Sequence, residues 1–127
     1  MYLIIGTVGV VGFIFYAAIS GGGLGAFLDF PSLAIVAGGA FFATLAMSRG
    51  KFNQETVSFF GNAALTLGWI GLLIGIVLML GGTDLSTPEG INTFFSKASP
   101  VALLTVLYGL ILKLVCSAWA ASMVQGK

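Results

Sequence analysis

The sequence predicts an all-helical integral membrane protein with four transmembrane helices, on three observations. Of its 127 residues, 58% are apolar and 7% charged, where a soluble domain carries about 25% charged residues to dress its surface. The five basic and four acidic side chains fall between long uncharged runs, at 1–28, 30–48, 56–83, 98–112 and 114–126. Those runs are continuously apolar rather than alternating, which selects helices, because four strands would leave unpaired edges in lipid. The mean hydropathy of +1.11 agrees.

About 20 apolar residues, rising about 1.5 Å each, cross the hydrocarbon core. This places spans near 2–20, 32–48, 58–81 and 99–122, in a single domain covering 1–127. Span one has no basic residue ahead of its apolar stretch and leads into further spans, so it is expected to act as an uncleaved anchor. Gly21, Gly22, Gly23 and Gly25 follow as a flexible turn, with Phe27, Leu28 and Phe30 as an interfacial apolar patch. Pro31 and Ser32 suit the first turn of span two. The 49–57 link is too short for any domain. After span three, Ser86, Thr87, Pro88 and Glu89 open a short amphipathic helix running to about Ser96. With Ile91, Phe94 and Phe95 on its apolar side, it is expected to lie flat on the outer membrane surface. Arg49, Lys51 and Lys127 lie at one end of the spans; Asp29, Asp84, Glu89 and Lys97 lie at the other. Retention of Lys and Arg on the cytoplasmic side then puts both termini and the 49–57 link inside a bacterial inner membrane.

The residue inventory narrows the chemistry. With no His and one Cys, Cys116, the chain offers no cluster for zinc, haem or an iron–sulfur centre, and no internal disulfide. A net charge of +1 gives no footprint for nucleic acid. The acids are scattered through the links, so no carboxylate pair serves hydrolysis. Neither an enzyme nor a cofactor is expected. No Asp or Glu lies within the four spans, so a proton cannot be cycled on a buried carboxylate of this chain. The protonatable group must come from a partner helix or from Lys113.

Small residues are abundant and periodic. Gly61, Ala64, Gly68, Gly71 and Gly75 form one smooth face of span three, and Ala34, Gly38 and Ala43, with Gly39 beside them, do the same in span two. Such faces let helix backbones approach when lipid removes the hydrophobic incentive. They serve packing within the chain or between subunits, and the small number of interior positions favours the second. In span four, Thr105, Gly109, Leu112 and Cys116 share a stripe. A threonine hydroxyl there bonds a carbonyl one turn earlier or takes part in chemistry. Lys113 is about 10 Å from the inner interface, where a lysine either snorkels to the headgroups or acts as an intramembrane charge.

Three stretches carry a resemblance. Gly21–Gly39 (GGGLGAFLDFPSLAIVAGG) resembles the link and second span of the flagellar stator subunits MotA and PomA. Leu67–Gly71 (LGWIG), continuing to Leu80, looks like the third span of that family, and Val101–Gly109 (VALLTVLYG) like its fourth. They occur in the family's order. The resemblance implies membership of the MotA/TolQ/ExbB superfamily, whose members form a ring of five around two helices of a MotB/TolR/ExbD-type partner. That partner carries a membrane Asp which ions load and unload as the ring turns. On this reading Thr105, Gly109, Gly68 and Gly71 line the central channel, with Leu72 and Val106 where family members hold hydroxyls. Gly61, Gly75, Gly38 and Gly39 would pack subunits together.

The sequence also departs from the family pattern. The domain of charged helices that pushes on a flagellar rotor is reduced here to Ser48–Val57. Leu65 and Trp119 stand near positions where prolines usually break the spans, and Lys113 is foreign to the pattern. Two functions follow as expectations. One is a minimal proton- or sodium-driven motor ring acting in the periplasm. The other is a non-conducting scaffold ring in which Lys113 binds a partner acid or a lipid phosphate. A holin-like pore former explains none of the matches.

Overall fold

The computed structural model describes residues 1–20, 25 and 28–125, with the side chains of 97–99 left out. The expectations for Gly21–Gly23, Phe27 and Lys127 lie outside the described residues, as does that for the Lys97 side chain. The elements are α1 (Tyr2–Ser20), α2 (Phe30–Ser48), α3 (Gln54–Gly82), α4 (Pro88–Thr93), a π-helical turn (Phe94–Ala98) and α5 (Ser99–Gln125). Among the described residues four helical stretches are long and apolar enough to cross a membrane, and each contains one of the four expected spans, the last beginning earlier, at Pro88.

Helix α2 starts two residues before the expected boundary because Asp29, not Ser32, caps it. The Asp29 carboxylate accepts the Ser32 N–H at 3.2 Å and the Ser32 hydroxyl, while Pro31 occupies the first turn, where a missing N–H costs nothing. The helix ends at Arg49, which adopts the left-handed conformation (φ 50°) with Gly50 following at φ 81°. The Lys51 N–H returns to the Ser48 carbonyl at 3.0 Å and closes the turn. Helix α3 opens with a reciprocal cap. Asn53 accepts the Thr56 N–H at 2.9 Å, and the Thr56 hydroxyl accepts the Asn53 N–H at 3.3 Å. Glu55 in the first turn suits the positive end of the helix dipole.

The expected flat-lying helix takes another form. The α-helix stops at Thr93 rather than near Ser96, and the chain runs through the π-helical turn straight into α5. Pro100 supplies the reason. It lacks an N–H for the carbonyl one turn back, and a widened turn just ahead of it accommodates that loss. Thr87 caps α4 by accepting the Gly90 N–H at 3.1 Å. In the link before it, Asp84 accepts both the Ser86 hydroxyl and the Ser86 N–H, which holds its carboxyl below the ordinary aspartate value.

Packing is dominated by the antiparallel pair α3 and α5, with α2 laid against both. Among the described residues, α1 touches α5 and no other helix, and Ala18 is its buried residue. The centre holds small and medium side chains, Val36, Ala40 and Ala64, flanked by Phe60, Leu67, Tyr108 and Leu112. Large apolar side chains such as Phe13, Phe42, Leu78 and Leu103 point outward. Hydrocarbon would solvate them in a membrane, while close backbone approach supplies the attraction within.

Candidate functional site

The seam between α3 and α5 is built from reciprocal notches. A Cβ on Gly68 would lie 2.7 Å from the Thr105 carbonyl oxygen and 3.1 Å from Val106 Cα. One on Gly109 would lie 2.6 Å from the Ala64 carbonyl oxygen and 3.0 Å from Leu65 Cα. Each helix therefore presents a glycine where the other's backbone comes closest, and only glycine admits this spacing.

Thr105 occupies the notch. It is 4% exposed, with its Cβ and methyl group against Gly71. Its hydroxyl proton faces two carbonyl acceptors, Ala102 on its own helix at 2.7 Å and Gly68 on α3 at 3.0 Å. The residue thus bonds back one turn and also ties the two helices together. Val106 is buried beside it, and Leu72 is half-buried on α3. Thr105, Gly68, Gly71, Gly109 and Val106 are accordingly gathered in one intrachain seam. The neutral hydroxyl is engaged within the chain.

The glycines expected between subunits divide. A Cβ on Gly61 would lie 2.8 Å from Cys116 Cβ and 3.3 Å from Lys113 Cα, and one on Gly75 would lie 3.0 Å from Ala102 Cβ, all on α5. A Cβ on Gly39 would lie 2.8 Å from the Leu67 side chain of α3. These three face helices of their own chain, which fill the space the sequence pattern assigned to a neighbour. A Cβ on Gly38 would meet nothing within 4 Å outside its own helix backbone, nor would one on Gly6, Gly9 or Gly12 of α1. The α1 glycines were legible in the sequence as a three-residue repeat.

Lys113 is half-buried and level with Gly61, seven residues into α3 and so about 10 Å from the start of that helix. Its stem is long enough to carry the ammonium most of the way to the 49–57 end. Cys116, one turn further along, is a free thiol. Among the described residues no group of three His, Cys, Asp or Glu side chains could hold a metal ion.

Two long-range bonds escaped the sequence. The Asp29 N–H donates to the Tyr108 hydroxyl at 2.9 Å, fastening the head of α2 to the middle of α5. The Trp119 indole N–H donates to the Thr7 hydroxyl at 3.2 Å and holds α1 against α5. At the 49–57 end, α2, α3 and α5 diverge around a cavity of about 540 Å³ whose wall includes Phe41, Phe60 and Trp119. Compared with known proteins, the chain matches no family model, no curated protein and no solved structure.

Proposed function

We propose that the chain is the ring-forming subunit of an ion-driven motor of the MotA/TolQ/ExbB type in a bacterial inner membrane. Several copies, five on the family pattern, surround the transmembrane helices of a single-span MotB/TolR/ExbD-like partner. Proton or sodium flow on the partner's membrane Asp is coupled to rotation or to work in the periplasm. The observation that carries this reading is the α3–α5 seam. The two helices whose sequences resemble the channel-lining spans are clamped into one unit by Gly68, Gly109 and the Thr105 hydroxyl. Such a unit suits a rigid ring wall. The open small faces at Gly38 and at Gly6, Gly9 and Gly12 leave room for neighbouring copies. The absence of any carboxylate within the spans leaves the protonatable group for ion transfer to Lys113 or to a partner, and an acid-bearing partner supplies it most directly.

One observation favours the scaffold reading. Thr105 is buried, and both carbonyls facing its hydroxyl belong to its own chain, so no hydroxyl is presented to a channel at this level. Leu72 and Val106 are dry there as well. Co-expression with a single-span protein bearing a membrane Asp and a periplasmic domain tests both readings. A motor gives a co-purifying complex of several subunits to two partner chains, and a proton or sodium leak in vesicles that disappears when the partner Asp becomes Asn. A scaffold gives the complex without the leak. Purified chains that remain monomeric with the partner present refute the ring.

A further inference from the structure

We propose that the cavity at the 49–57 end of α2, α3 and α5 binds one acyl chain of an anionic phospholipid, whose phosphate is held by Lys51 and Arg49. The cavity of about 540 Å³ falls within the roughly 300–1,000 Å³ of small-molecule sites. Its wall is formed mainly by Phe41, Leu45, Phe52, Phe60 and Trp119, with Lys51 at the mouth. The wall's two threonine hydroxyls are already engaged. Thr44 donates to the Ala40 carbonyl at 2.7 Å, and Thr56 to the Lys51 carbonyl at 2.9 Å. A void of this size with so little polar lining is not a place for ordered water, which needs two to four polar partners. Hydrocarbon is the solvent that suits it.

The position fixes the orientation of such a ligand. The cavity lies where α2 ends at Ser48 and α3 begins at Gln54, the depth at which headgroups give way to acyl chains. Lys51 is held there through its backbone, its N–H on the Ser48 carbonyl at 3.0 Å and its carbonyl on the Thr56 hydroxyl. Arg49 is two residues away and exposed. No Asp or Glu lines the cavity. The nearest acid along the chain, Glu55, is exposed on the first turn of α3. The mouth is thus cationic and the interior apolar, a combination that suits an anionic lipid better than a zwitterionic lipid or a free anion. The site is complete within one chain and does not depend on ring assembly.

The second tryptophan, Trp69, is replaced by Phe so that Trp119 reports alone. The full chain is reconstituted in phosphatidylcholine vesicles containing a minor fraction of brominated-chain lipid, either phosphatidylglycerol or phosphatidylcholine. Each cation near an anionic surface contributes roughly a fivefold preference. Phosphatidylglycerol should therefore quench Trp119 at a severalfold lower fraction than phosphatidylcholine does. Arg49→Gln with Lys51→Gln should abolish that difference, and Lys51→Arg should retain it. Added inorganic phosphate should leave the quenching unchanged. Equal quenching by both headgroups overturns the proposal, as does a preference that survives the double substitution. Competition by phosphate would assign the cations to a free anion. Protection of Trp119 from both lipids would assign the cavity to another copy of the chain. Either result refutes a lipid site.

Discussion

Replacing Gly68 by Ala puts a methyl carbon 2.7 Å from the Thr105 carbonyl oxygen and 3.1 Å from Val106 Cα. Both contacts are with backbone, so no rotamer change relieves them. Restoring ordinary contact at about 3.5 Å requires α3 and α5 to separate by roughly 0.5–1 Å along much of the seam. Overpacking of this kind costs up to about 3 kcal/mol. The same movement stretches the 3.0 Å bond from Thr105 to the Gly68 carbonyl, worth about 0.6 kcal/mol within a membrane. Alanine's better helix propensity returns up to about 1 kcal/mol, leaving a net loss of about 1–3 kcal/mol. Gly38→Ala is the internal control, since nothing lies within 4 Å of its Cβ position. It gains propensity without a clash and should be neutral or up to about 1 kcal/mol stabilising in the isolated chain. Reversible unfolding in mixed micelles, followed by far-UV circular dichroism, measures both. Equal stability of the two variants would refute the packing described for α3 and α5. A loss for Gly38→Ala seen only in an oligomer would place a neighbouring copy at that face.

Thr105→Val keeps the shape of the side chain and removes the crossing hydrogen bond. It should cost about 0.6 kcal/mol, and no more than about 1.7 kcal/mol, in the same unfolding assay. Tyr108→Phe takes the acceptor from the Asp29 N–H. Hydrogen exchange at the Asp29 amide should accelerate, with a stability loss of about 0.5–1.5 kcal/mol. The Asp84 carboxyl is held below its ordinary value by the Ser86 hydroxyl and N–H. Its contribution is therefore present above the unfolded-state pKa and is lost as pH falls through the lower folded value. Ser86→Ala should move its NMR titration midpoint upward, and an unchanged midpoint would contradict the bonding at Ser86.

The spans were legible because charges are costly in hydrocarbon, so their absence over long runs marks out the helices directly. Asp29 carried a readable capping signal, an acid followed by a first-turn proline and by Ser32, yet Pro31–Ser32 alone suggested a later start. The π-helical turn has its cause in Pro100, whose effect depends on whether the preceding helix continues, and the sequence leaves that open. The use of each small face is written in no single helix. Gly61, Gly68 and Gly75 share a periodic stripe, but what fills it depends on the register of α5, set by Gly109 against Ala64 and Thr105 against Gly68. Tyr108 is 79 positions from Asp29, and no local pattern joins them. The cavity near Lys51 arises from divergence of three helices that each look uniformly apolar.

Because α1 adjoins α5 and no other helix among the described residues and buries little beyond Ala18, its inclination in a membrane should be governed more by the bilayer than by the protein. A thinner membrane tilts such a rod and a thicker one draws it upright, at a modest energy for each ångström of mismatch. A side-chain bond between α1 and α5, Trp119 to Thr7, sits close to the start of α1, where it would serve as a pivot for that swing. The opposite end of α1 travels furthest, while the clamped seam of α3 and α5 keeps its geometry. A change in lipid thickness would in this way be taken up at the periphery of the molecule and kept out of its centre.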